Sequence, residues 1–388
     1  MQNQFSGSVI TQVDQIIQSA IEASASDIHL EPFEKKYRLR FRIDGVLQEI
    51  TELQLSQKDA ITSRLKIMAE LDIAEKRRPQ DGRIKIRAKQ GQDIDLRVST
   101  LPTQYGEKIV LRILDKGAQE LSLDSLGFSE EVLTVFRKEI NNPYGMILVT
   151  GPTGSGKTTT LYSALNEINS EQVNITTIED PIEYNLEGIN QTQVHEEIEL
   201  TFVNILRSIL RQDPNIIMVG EIRDKDTAEI AIRAALTGHL VFSTLHTNDA
   251  SSAVSRLVEM GVEPFLVSSS VRMVMAQRLV RKVCEHCETS YEPDSVLVKE
   301  LSLEDHKEFR KGAGCQKCND SGFKGRTALI ELLTMSDELI SQINNSANSS
   351  EIKLIATKQG MRTLRGVGIQ KIRKGLTTVE EVYRETML

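Results

Sequence analysis

An α/β chain with two folded domains is what the sequence predicts, and three observations carry that prediction. At roughly 100–200 residues per domain, 388 residues allow two or three domains with cores of their own. About the first 115 residues alternate apolar and polar side chains in paired short runs, which marks an antiparallel sheet. From Met146 onward, short apolar runs alternate with helical stretches, which argues for a parallel sheet covered on both faces.

Taken in order, Ile10, Val13, Ile17, Ala20 and Ile21 follow the i, i+3, i+4, i+7 spacing of an amphipathic helix over residues 9–23. Tyr37, Leu39, Phe41 and Ile43 alternate with Arg38, Arg40, Arg42 and Asp44, giving a strand with one basic face. Asp44-Gly45 then turns it into a hairpin. Ile84 and Ile86, followed by Ile94, Leu96 and Val98, flank Gln90-Gly91 as a second pair, and residues 108–114 add another strand. Residues 115–127 are polar, contain two glycines and fit a linker. Beyond it, residues 146–150 (MILVT) form a short strand ahead of a glycine-rich loop and a helix from about Thr158. NITTIED, NIIMVGE and HLVFSTLH supply further strands. From about residue 281 come the cysteines and then several short helices, the last opened by Thr378 and Glu381 at capping-box spacing.

Composition narrows the function. With 39% hydrophobic and 26% charged residues, the chain has the make-up of a folded protein rather than a disordered one. No stretch approaches the roughly 18 apolar residues that span a bilayer, and the N-terminus lacks the features of a signal peptide, so a cytosolic chain is expected. A net charge of −8, no Trp and only 4% aromatics weigh against a dedicated nucleic-acid binder. All four cysteines lie between Cys284 and Cys318, which in a reducing compartment favours a metal site over disulfides.

Residues 151–158 match G-x-x-x-x-G-K-[ST] in full: Gly151, Pro152, Thr153, Gly154, Ser155, Gly156, Lys157, Thr158. Its glycines let backbone N–H groups wrap a phosphate, and the helix that follows adds its positive dipole end. Lys157 is placed to reach the β/γ-phosphates, and the Thr158 hydroxyl to hold Mg2+. Residues 216–221 are an apolar strand ending in Gly220-Glu221, which makes Glu221 the choice for orienting the attacking water. No Asp precedes it, so Mg2+ would rest largely on Thr158 and water. Glu179, Asp180 and Glu183 form a second acidic cluster that also reads as a solvated loop. His239 and His246 flank the strand between them; either could sense a γ-phosphate, and either could be structural. Cys284-x2-Cys287 and Cys315-x2-Cys318 are paired knuckles suited to a structural, tetrahedral Zn2+. Arg77, Arg78, Arg83, Arg97 and Arg112 read as a solvated face or as arginines offered to a phosphate site elsewhere.

Together these residues resemble the ATPases of type II secretion systems and their type IV pilus-assembly relatives. The matching stretches are ASDIHLEP (25–32), RFRIDG (40–45), RRPQDGRI (77–84), DLRVST (95–100), GPTGSGKTTTLY (151–162, which includes Thr159) and IEDPIEY (178–184). They continue through LRSILRQDPNIIMVGEIRD (206–224) and TGHLVFSTLHTNDA (237–250). The resemblance implies a PAS-like N-terminal domain and a RecA-like P-loop domain carrying an inserted tetracysteine zinc subdomain. It implies that ATP lies between these domains, with Arg97 and Arg112 approaching its phosphates. Arg207, Arg211 and Arg223 match further family arginines near the nucleotide or the contact between subunits. By the same resemblance Glu221 is the catalytic glutamate, Glu179 and Glu183 are metal or water ligands, and His239 and His246 lie near the γ-phosphate.

The boundaries expected are 1–118 for the PAS-like domain, 119–127 for a linker and 128–280 for the ATPase core. The zinc subdomain would span 281–325 and a C-terminal helical subdomain 326–388. The implied function is a hexameric ATPase on the cytoplasmic face of the bacterial inner membrane, powering protein export by driving pseudopilus assembly. Its partners would be an inner-membrane platform protein and a membrane-anchored adaptor, without nucleic acid or a transmembrane segment of its own. The tetracysteine also suits the pilus-extension ATPases and argues against the retraction ATPases. Residues 261–284 look more like the secretion branch. Family members commonly carry a further docking domain ahead of the PAS-like one, and about 24 residues precede the match in this sequence. Two competing classes are a RecA-like nucleic-acid translocase and an ATP-binding regulatory module without turnover.

Overall fold

Secondary structure follows the local patterning closely, and the computed structural model describes Phe5 and residues 7–87, 93–115 and 121–387. The Gln90-Gly91 turn and residues 119 and 120 of the expected linker lie outside the described residues. The chain divides into two compact units, Met1–Glu120 and Leu121–Leu388.

The first unit runs α1 (Val9–Glu22), β1 (Asp27–Pro32), β2 (Tyr37–Ile43), β3 (Val46–Leu53), α2 (Lys58–Met68), β4 (Gln80–Arg87), β5 (Asp93–Thr103) and β6 (Gly106–Asp115). Its six strands pair antiparallel in the order β3-β2-β1-β6-β5-β4. Ser8 caps α1 by accepting from the Thr11 N–H, and Val13, Ile16, Ile17 and Ala20 form the buried stripe that the spacing predicts. In β2 the odd positions Tyr37, Leu39 and Phe41 are buried, which turns the arginines to the opposite face. The α helices and this sheet face share one apolar core.

The second unit begins with a 3-10 turn at Leu123–Leu126 and α3 (Glu130–Ile140), then β7 (Gly145–Thr150), α4 (Lys157–Ile168), β8 (Ile175–Glu179) and β9 (Asn190–Gln193). It continues with α5 (Phe202–Ile209), β10 (Ile216–Val219), α6 (Lys225–Leu236), β11 (Leu240–Leu245), α7 (Ala250–Glu259), α8 (Pro264–Ser270) and β12 (Val271–Val283). The cysteine region adds β13 (Glu288–Ser290), α9 (Ser295–Glu300) and β14 (Arg310–Gly312) before β15 (Phe323–Thr334). Four helices close the chain: α10 (Asp337–Asn344), α11 (Ser349–Lys358), α12 (Leu364–Arg373) and α13 (Val379–Thr386).

Seven strands form its main sheet in the order β15-β12-β7-β11-β10-β8-β9, parallel throughout except for β15, which runs against β12. Alternate residues of β7 enter two cores, Met146 and Leu148 one and Ile147 and Val149 the other, so helices cover both faces. This is the α/β architecture expected, with an antiparallel edge strand added.

Three details differ from the sequence expectation. Leu123 is fully buried in the second unit's core, so residues 121–127 are part of that unit rather than an open linker. Residues 326–334 belong to β15 and extend the sheet; the helical layer starts at α10, because Ala328 and Ile330 bury on one face and Leu329 and Leu333 on the other. Thr378 does cap α13 by accepting from the Glu381 N–H, but the Glu381 carboxylate turns instead to Arg281 at 2.6 Å, leaving half a capping box.

Candidate nucleotide site and cysteine centre

At the carboxyl end of β7 the chain leaves the sheet through residues 151–156 and enters α4 at Lys157. Gly151 has φ +149°, and a Cβ there would lie 2.5 Å from the Gln277 carbonyl oxygen and 2.6 Å from Ser155 Oγ; only glycine fits so close an approach. Gln277 of β12 then accepts from Thr160 Oγ1 at 2.8 Å, fastening the first turns of α4 to the sheet. Pro152, Thr153, Gly154 and Thr158 are exposed, Thr159 is half-buried, and Ser155 Oγ is buried with no hydrogen-bond partner among the described residues. An orphan hydroxyl in a loop of this shape fits a phosphate oxygen.

Lys157 is 9% exposed and folds back on the loop, its Nζ donating to the carbonyls of Gly151 at 2.8 Å and Pro152 at 3.1 Å. Burial pushes its ammonium down to about 8, against the opposing pull of Glu221 and with a further push from Arg278.

Glu221 emerges two residues past β10, where β10 and β11 end side by side with Val219 facing Ser243. Hydroxyls fix this corner: Ser243 Oγ donates to the Val219 carbonyl and Thr244 Oγ1 to the Gly220 carbonyl, each at 2.7 Å. The Glu221 carboxylate receives Arg223 Nη2 on one oxygen, and His246 Nε2 stands 3.4 Å from the other. Arg223 also lies 3.6 Å from Asp180. Arg211 donates to the Arg207 carbonyl at 2.8 Å, and both side chains are exposed on and after α5.

The acidic cluster and His239 have partners of their own. Glu179 is 3% exposed and already satisfied: Tyr162 Oη donates to Oε2, while Thr177 Oγ1 at 2.6 Å and Gln191 Nε2 at 3.0 Å donate to Oε1. Those three donors tie Glu179 to α4, β8 and β9. Glu183 is half-buried next to it, its N–H donating to Tyr162 Oη at 3.3 Å. His239 precedes β11 and His246 follows it, so at about 3.3 Å per residue their seven-position separation along the strand is roughly 23 Å. His239 sits near the start of β7, where the Gly145 N–H meets its carbonyl at 3.1 Å, far from the loop at the strand's end. Of the two histidines, His246 is the one this unit brings to Glu221.

In the first unit, Arg83, Arg97 and Arg112 stand in register on β4, β5 and β6, and Asp27 of β1 pairs with both Arg112 and Arg42. Arg112 Nε is 3.1 Å from Asp27 Oδ1 and remains 57% exposed. Like charges in neighbouring register repel, and Asp27 at the end of the row offsets part of that repulsion.

The cysteines converge. Cys284–Cys315, Cys287–Cys318 and Cys315–Cys318 sulfurs stand 3.9, 3.8 and 3.7 Å apart, and all four lie within 4.8 Å of one another. A tetrahedron with Zn–S bonds of about 2.3 Å has edges of about 3.8 Å, so the donor set fits Zn2+ with no coordination position left over. Close backbone contact makes this possible: a Cβ on Gly312 would meet the Gly322 carbonyl oxygen at 2.0 Å. Leu301, Leu303 and Phe309 of the cysteine region share a small core with Ile372, Val379 and Val382.

The sequence signals missed Gln277, Tyr162 and Arg278. Gln277 and Arg278 interrupt an otherwise apolar run, Met273 to Val280, and that interruption was the available clue.

Comparison with known proteins gives the same picture. A family model described as type II/IV secretion system protein matches residues 2–384. The type IV pilus assembly ATPase PilB of Myxococcus xanthus is 51% identical over 383 residues, 97% of this chain and 68% of that protein. Type II secretion system protein E of Pseudomonas aeruginosa is 49% identical over 388 residues, covering 100% of this chain and 77% of that protein. Among solved structures, the pilus retraction motor PilT with bound ADP aligns with a TM-score of 0.64 at 27% identity over 96% of each chain. The Legionella pneumophila ATPase DotB shares the fold, with a TM-score of 0.70 at 22% identity over 99% of this chain and 97% of that one. The chain belongs to the type II/IV secretion system protein family.

Proposed function

We propose that this chain is the P-loop ATPase of a type II secretion system, a hexamer at the cytoplasmic face of the inner membrane that drives pseudopilus assembly. The observation that carries the reading is the Glu221–His246–Arg223 cluster, which stands at the ends of β10 and β11 while the phosphate loop leaves the end of β7. In this reading the backbone N–H groups of 151–156 and Lys157 hold the phosphates of ATP, and Thr158 would hold Mg2+, which supplies charge neutralisation when bound. Glu221 orients the attacking water and accepts its proton, with Arg223 and His246 fixing the carboxylate. Arg97 and Arg112 add positive charge to the phosphates in the assembled hexamer. Zn2+ on Cys284, Cys287, Cys315 and Cys318 is structural. In this reading an inner-membrane platform protein and a membrane-anchored adaptor provide the attachment; no helix among the described residues is long and apolar enough to cross a membrane.

We assign the PAS-like domain to 1–118 and the RecA-like core to residues 121–280 together with β15, with the cysteine subdomain between β12 and β15 and helices from α10 onward. The 51% identity to a pilus assembly ATPase supports type IV pilus extension as a second reading. Deleting the gene separates the two: loss of exoprotein from the medium with surface pili retained supports secretion, and the converse supports pilus extension. The ATPase itself is tested by phosphate release from the purified chain as a function of protein concentration, with mass by light scattering. Full turnover in Lys157→Ala would overturn the assignment.

A further inference from the structure

Glu331 is 1% exposed and lies on β15 opposite Ala276 of β12, which in turn stands beside Thr150 at the end of β7. It is therefore level with the phosphate loop, two strands away. One carboxylate oxygen accepts from the Ala250 N–H at 2.9 Å and the other from the Leu364 N–H at 3.2 Å. Those are the first residues of α7 and α12. A single buried carboxylate thus satisfies orphan donors of two helices and sits at both positive dipole ends.

The segment leading into α7 is held along its length. Thr150 Oγ1 donates to the Leu245 carbonyl at 2.9 Å, and Arg278 Nη2 donates to the Asn248 carbonyl at 2.9 Å. Asp249 caps α7 by accepting from the Ser252 N–H at 2.8 Å and receives Lys353 Nζ of α11 at 2.9 Å. His246, 3.4 Å from Glu221, belongs to this same stretch. Residues 245–250 therefore meet the nucleotide-site groups at one end and the C-terminal helices at the other. Only three residues separate His246 from Ala250, and hydrogen bonds at Thr247, Asn248 and Asp249 restrict how far their torsions can absorb a shift of His246.

We propose that Glu331 is a positioning residue that couples the Glu221–His246 pair, through α7, to α12, so that events at the phosphate loop are transmitted to the C-terminal helical layer. The coupling rests on the reading of residues 151–158 as a nucleotide site. Elements of a packed core shift between discrete arrangements, and the two N–H bonds give α7 and α12 one shared anchor.

Hydrogen–deuterium exchange of the full chain, with and without ADP and Mg2+, tests the coupling. Wild type should show ADP-dependent slowing of about threefold or more at amides 364–368 and in α7. Glu331→Gln keeps the shape but can accept through one atom where the carboxylate had two, so it should bind ADP within about twofold of wild type yet lose the response at 364–368. Its kcat should fall about tenfold with little change in KM. Glu331→Asp keeps the charge on a shorter side chain that cannot reach both N–H groups, so it should also lose the response at 364–368, and it decides the matter if the Gln variant fails to fold. ADP-dependent slowing at 364–368 that persists in Glu331→Gln would overturn the coupling, as would ADP binding to wild type without any change there. Absence of ADP binding by wild type would instead bring down the nucleotide reading and the coupling with it.

Discussion

His246 Nε2 lies 3.4 Å from Glu221 Oε2, each side chain projecting from the end of one of two adjacent parallel strands. Because the strand register and two hydroxyl-to-carbonyl bonds hold this corner, the carboxylate is oriented before any substrate arrives. Preorganisation of that kind is what a water-orienting group requires.

Glu221→Gln should therefore separate binding from turnover. The amide keeps the volume and loses the base, so kcat should fall about 10²–10⁴-fold while ATP is retained. Single-turnover hydrolysis with radiolabelled ATP, followed by rapid filtration, reads both quantities. Multiple turnovers at the wild-type rate would sink the role.

Lys157 gives a proton signature. Its ammonium is lowered to about 8 by burial, with Glu221 opposing, so near pH 8 about half of the unliganded chains carry it neutral. Phosphates favour the charged form, so nucleotide binding should take up about half a proton per site at pH 8. Below about pH 7 the lysine is already protonated and the uptake should fade. Calorimetric titration of ADP in buffers of different ionisation enthalpy measures this, and equal heats in all buffers at pH 8 would contradict it.

Cys284→Ser should remove the metal and loosen the small core of Leu301, Leu303 and Phe309 while the phosphate loop stays formed. Elemental analysis should drop from about one zinc per chain to near zero, and ADP affinity should persist. A variant that still carries zinc would argue against four-sulfur coordination.

Glu31 sets the acid limit of the first unit. Burial would raise its carboxyl, but hydrogen bonds from Arg40 and Lys108 win and hold it at about 2. A depressed carboxyl contributes stability that is complete above its unfolded value near 4.5 and is lost as pH falls towards 2. After solvent screening the contribution is about 1–2 kcal/mol. Urea unfolding followed by circular dichroism at pH 6 and pH 3 should show that loss in wild type and a smaller one in Glu31→Gln. Equal losses in both would remove Glu31 from the account.

How much of this was legible beforehand depended on whether local chemistry or strand order decides the outcome. Alternation exposed β2, because one of its faces meets the core and the other the charged surface. The phosphate loop was legible because its glycines are required by backbone geometry that few sequences satisfy. β12 was missed since it is buried on both faces and so has no alternation to read. β15 was taken into a helical region because Ala328, Leu329, Leu332 and Leu333 suit a helix as well as a strand. The two histidines looked equivalent in the sequence, and strand length alone separated them. Glu179 looked like its acidic neighbours until its three donors, on α4, β8 and β9, were in place around it.

The β12 strand has a mechanical reading. Up to Ala276 it is bonded on both sides, to β7 and β15, whereas beyond that point the sheet supports it through β15. Gln277 braces the phosphate loop at the supported end, and Cys284 lies seven positions further on, about 23 Å away. The strand is a beam built in beside the phosphate loop and held at its tip by the four-cysteine cluster, with Arg281 and Glu381 as an intermediate bracket. Loosening that cluster would leave a cantilever: the same load at the tip would bend it further.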